Sequence, residues 1–141
     1  MNLPVVAADL ESLIPHRPPI LWIDSLTECS EQEAKATVRF SQGHFAVHNG
    51  KVAESALVEC VAQTVAAAFG WLSRQKAMGA KPGAGLLAAV SNFAFHQPVP
   101  LDKPLEIAVK QVRRLGPMVR ISSRITENGQ LIAAGELSLY G

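Results

Sequence analysis

The chain has 141 residues, of which 48% are hydrophobic and 18% are charged, and its formal net charge is +1. This length fits one domain spanning the whole chain, and the composition is typical of a globular protein rather than a disordered one. The near-neutral charge argues against a nucleic-acid partner, because general nucleic-acid binders carry a strong basic excess. Cys29 and Cys60 have no close partner at metal-ligand spacing, so we expect two small buried thiols and no metal site.

The N-terminus and the most apolar segment bear on localisation. The N-terminus lacks the basic start and unbroken apolar stretch of a secretory signal. Residues 56–72 are strongly apolar, but they include Glu59 and Gln63 and fall short of the roughly 20 apolar residues that a membrane span needs. The sequence therefore predicts a cytoplasmic protein without a membrane segment.

The chain begins with a predicted short helix and two predicted strands. Residues 7–14 have an amphipathic helical pattern that must end at Pro15, because proline cannot continue a helix. Residues 20–26 and 33–40 have the pattern of strands, and a polar turn separates them.

A loop and one long helix follow. Residues 41–51 are rich in glycine and polar residues and contain the turn dipeptide Asn49-Gly50, which predicts a loop. Residues 53–76 are apolar or small on nearly every face, which predicts a buried helix. Three glycines and a proline then end the helix within residues 76–85.

The second half of the chain has the pattern of strands. Asn128-Gly129 is a hairpin turn between the last two predicted strands. The predicted strands cover residues 86–95, 105–112, 118–126 and 131–140. About six strands and one apolar helix predict an α+β domain in which an antiparallel sheet wraps around the helix.

A carboxylate on the predicted helix is a candidate acid. Glu59 has only apolar or small neighbours from Leu57 to Ala62 along the chain. Burial among them favours the protonated form, which a general acid at neutral pH requires. A salt bridge to a strand arginine or an outward position at a dimer edge is the structural alternative. Gln63 lies four residues further on the same helix face, where it can hydrogen-bond the carboxylate or the nearby backbone.

Two histidines of the predicted loop are candidate bases. A loop histidine alone is more often exposed or a capping residue, but His44 becomes a candidate base beside a buried acid. His48 competes with it for this role. We expect His16, which comes just before two prolines, to be structural, and His96 has no evident partner. Neither of these two is assigned to catalysis.

Two motifs in this order resemble a known family. Residues 13–28, LIPHRPPILWIDSLTE, resemble a segment of the bacterial 3-hydroxyacyl-acyl-carrier-protein dehydratases, which typically have leucine-leucine-proline-histidine-arginine, a proline, apolar residues and an aspartate. GHF at residues 43–45 and ECVAQ at residues 59–63 are similar to the catalytic histidine loop and the central helix of that family. The resemblance implies a hot-dog fold, in which a sheet wraps around one long helix.

The family resemblance also implies roles and partners. His44 stands in the place of the catalytic histidine, Glu59 in that of the helix acid and Gln63 in that of the supporting glutamine. The implied substrate is a 3-hydroxyacyl group on the phosphopantetheine arm of an acyl carrier protein, and no cofactor is implied. In this family the histidine and the acid come from different subunits, so the resemblance implies a homodimer.

The start of the predicted helix offers donors for negative charge that develops on a thioester oxygen. The backbone N–H groups of Val52, Ala53 and Glu54 lie where a helix has unpaired donors and the positive end of its dipole. We therefore expect these three residues to form the oxyanion site.

The loop departs from the usual family pattern. Ala46 and Val47 replace a proline-glycine pair, residues 51–53 replace a second one, and the spacing from His44 to Glu59 is one residue longer. These features resemble the divergent branch found in aryl polyene and related polyketide-type gene clusters, which favours a specialised pathway. An acyl thioesterase on the same fold and a non-catalytic acyl-binding subunit stay open as alternatives.

Basic residues on two of the later predicted strands form a candidate docking surface. An acidic carrier protein would be attracted to them, although a solvated strand face explains them equally well. The residues are Lys110, Arg113, Arg114, Arg120 and Arg124.

Overall fold

A seven-stranded antiparallel sheet wraps around one long helix in the computed structural model, which describes residues 2–76 and 86–140. The order of strands across this sheet is β1-β2-β3-β7-β8-β9-β6, and β4 pairs with β5 in a separate small hairpin. The elements in chain order are β1 (Val5–Val6), a 3-10 helix (Ala7–Ser12), β2 (Ser25–Cys29), β3 (Glu33–Val38), β4 (Val47–His48), β5 (Lys51–Val52), α1 (Glu54–Lys76), β6 (Leu86–Phe95), β7 (Leu105–Leu115), β8 (Met118–Glu127) and β9 (Gln130–Tyr140).

Most of the predicted elements are confirmed. Helix α1 begins one residue later than predicted, β6 has the predicted bounds, and β7 continues three residues beyond the prediction. Both predicted turns have the left-handed backbone that their sequences favour, with φ values of 53° and 74° at Asn49 and Gly50 and of 50° and 82° at Asn128 and Gly129. The predicted end of the helix falls largely on residues 77–85, outside the described residues.

The prediction of a strand over residues 20–26 was wrong, because β2 begins only at Ser25. The N–H of Asp24 still donates to the carbonyl of Thr37 on β3 (2.7 Å), but the backbone before it bonds to a helix side chain. The N–H groups of Trp22 and Ile23 donate to Oε1 of Gln63, and the carbonyl of Ile20 accepts from its Nε2. The apolar residues of this segment therefore pack against α1 without forming a sheet ladder.

Helix α1 fills the inside of the curved sheet, as its apolar sequence predicts. The residues Glu54–Gln75 are long and apolar enough to cross a membrane, but 61% of the most apolar window is buried inside the protein, as in the core helix of a globular domain. The largest fully buried side chains come from the helix, the sheet and the N-terminal segment, and they include Leu13, Phe40, Leu57, Ile107, Ile125 and Leu137.

Gly70 lets the N-terminal segment cross α1 at close range. A Cβ atom at this position would collide with the carbonyl oxygen of Leu13 and lie 3.0 Å from its carbonyl carbon. Alanine usually stabilises a helix by about 1 kcal/mol relative to glycine, but here two backbone segments would have to separate. We expect Gly70→Ala to lower the free energy of unfolding by about 1–3 kcal/mol in urea titrations.

Gly43→Ala is the matched control for this prediction. A Cβ atom at Gly43 meets nothing within 4 Å, so we expect the free energy of unfolding of this variant to change by less than about 0.5 kcal/mol. A Gly70→Ala variant as stable as the wild type would contradict the close crossing.

Candidate active site

The side chain of Gln63 ties helix α1 to the segment before β2. This side chain is fully buried. Its Oε1 accepts hydrogen bonds from the N–H groups of Trp22 (2.9 Å) and Ile23 (3.3 Å), and its Nε2 donates to the carbonyl of Ile20 (2.8 Å) and to Oε1 of Glu59 (3.0 Å). Because backbone N–H groups can only donate, they fix the orientation of the amide. Gln63 therefore presents an N–H group to Glu59.

The carboxyl group of Glu59 is held through one of its two oxygens. Oε1 accepts from Nε2 of Gln63 and lies 3.3 Å from Nε2 of His16. Within the described part of the chain, Oε2 has no hydrogen-bond partner. The prediction of a carboxylate buried among apolar residues was wrong for the single chain, because 34% of the Glu59 side chain is exposed.

His16 is the site residue that the sequence interpretation did not assign. Its side chain is 27% exposed, its Nε2 faces Glu59, and its Nδ1 is buried without a hydrogen-bond partner among the described residues. Arg17 holds the loop around it by donating to the carbonyls of Ile14 and His16 (both 2.8 Å) and by pairing with Glu11 (3.0 Å). The histidine-arginine pair within the resembling motif was the signal that could have marked this loop.

The ring of His44 is held by aromatic side chains and a backbone hydrogen bond. The ring centroids of Phe40 and Trp22 lie 4.9 Å and 5.9 Å away, and both rings meet the imidazole edge to face. The N–H of Ala46 donates to Nδ1 of His44 (3.0 Å). A neutral ring whose Nδ1 accepts a hydrogen bond carries its proton on Nε2.

Burial and a nearby carboxylate act on His44 in opposite directions. Burial lowers the pKa of His44 from its ordinary value, and the negative charge of Asp24 raises it in part. Burial in turn raises the pKa of Asp24, although the N–H of Arg39, which donates to Oδ2 (2.7 Å), and the charges of His44 and Arg39 lower it. The lowered pKa keeps His44 neutral, as a general base requires.

Removing the charge of Asp24 should shift the pH dependence of any reaction in which His44 is the base. The Asp24→Asn variant can still accept the N–H of Arg39, but it no longer raises the pKa of His44. We therefore expect the acid limb of the kcat/KM profile to lie at lower pH in the variant than in the wild type. Glu33→Gln, at an exposed carboxylate on β3, should leave the limb in place. An upward shift or no shift in Asp24→Asn would contradict this assignment.

The remaining predicted site residues surround the start of α1. Val52 belongs to β5, Ala53 follows it, and Glu54 is the first residue of the helix. His48 lies on β4 with an exposed side chain. Within one chain, among the described residues, no hydrogen bond or ion pair joins His44 to Glu59, although the segment at Trp22 contacts both groups through the His44 ring and through Gln63.

The two cysteines are free thiols, and neither is suited to nucleophilic attack at neutral pH. Burial raises the pKa of the Cys29 thiol to about 11. Burial also raises the pKa of Cys60, and the charges of Glu59 and Asp24 add to this effect. In residues 2–76 and 86–140, no group of three or more His, Cys, Asp and Glu residues is placed to hold a metal ion.

Comparison with known proteins identifies dehydratases as relatives of this chain. The family model of the ApeP dehydratases, ApeP-like, matches residues 8–141. The chain is 29% identical over 139 residues to the 3-hydroxyacyl-[acyl-carrier-protein] dehydratase FabZ of Staphylococcus carnosus, covering 92% of this chain and 90% of the relative. It is 30% identical over 137 residues, with the same coverage, to FabZ of Staphylococcus epidermidis.

Solved structures share the fold. A chain of the dehydratase heterocomplex ApeI:P from Xenorhabdus doucetiae is similar with a TM-score of 0.84 and 17% identity, covering 99% of this chain and 91% of that chain. A hypothetical thioesterase with coenzyme A from Streptococcus pneumoniae has a TM-score of 0.63 and 14% identity, covering 82% of both chains. The predicted hot-dog fold and the predicted relation to the dehydratases of aryl polyene clusters are confirmed. This chain belongs to the ApeP-like dehydratase family.

Proposed function

We propose that the protein removes water from 3-hydroxyacyl groups on an acyl carrier protein and gives the trans-2-enoyl thioester. The observation that carries this proposal is the carboxyl group of Glu59, which Gln63 and His16 hold by Oε1, while Oε2 has no partner in the described part of the chain. The names of the FabZ relatives support the substrate class. A cytoplasmic place in an aryl polyene, polyketide-type or fatty-acid pathway fits the same relatives and the family model.

The reaction needs two proton transfers and a site for negative charge. His44 takes the proton from C2 of the acyl chain, and the electrons of that C–H bond form the C2–C3 double bond. Glu59 gives its proton to the hydroxyl group on C3, which leaves as water. The N–H groups of Val52, Ala53 and Glu54 stabilise the charge on the thioester oxygen. The proton on His44 then returns to Glu59, directly or through water, and restores the starting state.

The Ala46 hydrogen bond affects the first proton transfer. It holds the neutral His44 ring with its proton on Nε2, and this tautomer cannot accept a second proton at that atom. For His44 to act as a base at Nε2, the ring proton must shift to Nδ1, and the Ala46 hydrogen bond must break. The resembling dehydratases have a proline at this place, which has no N–H. The altered loop therefore adds a step that substrate binding has to drive.

An assembly of two subunits supplies the histidine and the acid of each active site in this proposal. This two-subunit arrangement is supported by one observation: among the described residues of one chain, His44 and Glu59 do not contact each other. Strand β6 lies at one end of the sheet, where its free edge can pair with a second sheet, and Val90 on it is exposed. The second chain is another copy or, as the similar heterocomplex suggests, a different dehydratase subunit. The native mass of the purified chain, alone and with a candidate subunit, distinguishes these two assemblies.

The end of the β7–β8 hairpin is the proposed docking surface for the acidic carrier protein. Arg113 lies directly opposite Arg120 on the neighbouring strand, and both are exposed. Like charges in this position repel each other, and only Arg120 has a carboxylate partner among the described residues, Glu136 at 3.5 Å. An acidic partner would relieve this repulsion. Lys110 and Arg124 extend the basic surface along the same two strands, whereas Arg114 lies opposite the buried Val119, at the end of the hairpin.

Reversing one charge in the docking surface should weaken carrier binding selectively. We expect Arg113→Glu to raise KM for the carrier-bound thioester by about 5- to 20-fold, because it replaces an attraction by a repulsion. KM for the same acyl group on free pantetheine should stay unchanged, since the carrier is absent. Lys103→Glu, at an exposed lysine outside this hairpin, is the control. Equal effects on both substrates would contradict docking at Arg113.

A mass assay tests the proposed function. Purified protein is incubated with a 3-hydroxyacyl carrier-protein thioester, and the mass of the carrier is followed. We expect the carrier to lose the mass of one water and to stay acylated. Release of the free acid would instead support a thioesterase, as the similar fold of the coenzyme A-bound protein allows. An unchanged carrier across several chain lengths would support an acyl-binding subunit.

A further inference from the structure

We propose that His16 is a positioning residue that fixes the carboxyl group of Glu59, so that Oε2 carries the proton given to the substrate. This inference rests on the proposed dehydration, because it assigns a role to a neighbour of the proposed acid. Neither the sequence motifs nor the comparisons assign His16 to the reaction.

Two side chains approach the same oxygen of Glu59. Nε2 of Gln63 donates to Oε1 of Glu59 from 3.0 Å, and Nε2 of His16 approaches the same oxygen at 3.3 Å. Two donors on Oε1 favour the form in which this oxygen has no proton. When Glu59 is protonated, the proton therefore resides on Oε2, which has no partner among the described residues and is free to face a substrate hydroxyl.

The His16 ring fits its site in one protonation state. Nδ1 is buried and has no hydrogen-bond partner in residues 2–76 and 86–140. With a proton on Nε2, the ring can donate to Oε1 of Glu59. A second proton on Nδ1 would bury an N–H group without an acceptor. The neutral ring with its proton on Nε2 is therefore the state that fits this site. In this state His16 orients Glu59 without forming a full ion pair, which would hold the acid in its ionised form.

The loop that contains His16 is rigid. Arg17 is anchored by the carbonyls of Ile14 and His16 and by Glu11, so the loop keeps its position without help from Glu59. The segment before it crosses α1 closely at Gly70. A rigid loop on one side and Gln63 on the other allow the carboxyl group little rotation, and precise orientation of a proton donor matters most in the transition state.

Kinetics of His16 variants test the role. We expect His16→Ala and His16→Leu to lower kcat by about 10- to 100-fold, with KM within about 3-fold of the wild type, because only the orientation of the acid changes. His16→Gln keeps an N–H donor that can reach Oε1, and we expect it to recover kcat to within about 5-fold. Glu33→Gln, at an exposed carboxylate on β3, should leave both constants unchanged.

A spectroscopic measurement separates this inference from the proposed function. In long-range proton–nitrogen NMR spectra of the wild type, we expect the His16 ring to have its proton on Nε2, and we expect its signals to shift in Glu59→Gln while those of His96 stay. A wild-type kcat in His16→Ala, a His16→Gln variant no faster than His16→Leu, or His16 signals that do not respond to Glu59→Gln would each overturn the inference. If the wild type dehydrates nothing, the proposed function fails, and the ring spectrum alone decides whether His16 positions Glu59.

Discussion

His44→Ala and Glu59→Gln should each lower kcat for dehydration by about 10²- to 10⁴-fold, the range expected when a general base or acid is removed. Alanine leaves no group to take the C2 proton. Glutamine keeps the shape of Glu59 and can still accept from Gln63, but it has no carboxyl proton to give. Rates are measured as formation of the enoyl carrier under saturating substrate, and circular dichroism confirms that both variants are folded.

His48→Ala is the matched control for His44→Ala. His48 lies in the same loop, but its side chain is exposed on the β4–β5 hairpin. We expect the His48 variant to keep kcat within about 3-fold of the wild type. A large loss in His48→Ala together with a small loss in His44→Ala would move the base to His48.

Gln63→Leu should cost both stability and activity. The variant leaves the N–H groups of Trp22 and Ile23 and the carbonyl of Ile20 without their partner; the hydrogen bond of Ile23 is buried and the other two are partly buried. An unpaired buried group costs about 1–3 kcal/mol, so we expect the free energy of unfolding to fall by about 2–3 kcal/mol. Activity should also fall at temperatures where the variant is folded, because Glu59 loses one of its two donors.

Thr64→Val provides the comparison for Gln63→Leu. Thr64 is the next residue of the helix, is also fully buried, and makes one hydrogen bond, to the carbonyl of Cys60 at 2.8 Å. That carbonyl belongs to the helix ladder, so its loss leaves no group unpaired, and we expect a cost of about 1 kcal/mol. An equal decrease in the free energy of unfolding for Gln63→Leu and Thr64→Val in urea titrations would contradict the bridging role of Gln63.

The elements with strong local signals were predictable from the sequence. Strands β6 to β9 follow from alternation and from the Asn128-Gly129 turn, and α1 follows from an apolar run too long for a strand. The segment at residues 20–26 has the same apolar content, but the side chain of Gln63 binds its backbone. A contact between residues about 40 positions apart leaves no periodic pattern, so no local signal could reveal it.

The geometry around Glu59 was only partly predictable from the sequence. Glu59 and Gln63 were paired correctly, because residues four apart share one face of a helix. The prediction that Glu59 is buried was wrong, because its apolar neighbours along the chain lie on other faces of the helix. His16 was missed since its contact with Glu59 depends on how a loop folds back over α1.

The reverse reaction in water labelled with heavy oxygen tests the central claim, which is that this chain adds and removes water at C3 of a carrier-bound acyl group. An enoyl carrier thioester is incubated with the wild type, and the products are analysed by mass. We expect a hydroxyacyl carrier that contains one heavy oxygen at C3, with the thioester intact, and formation slower by about 10²- to 10⁴-fold with His44→Ala. Heavy oxygen in a released carboxylic acid, with a deacylated carrier, would contradict dehydratase activity.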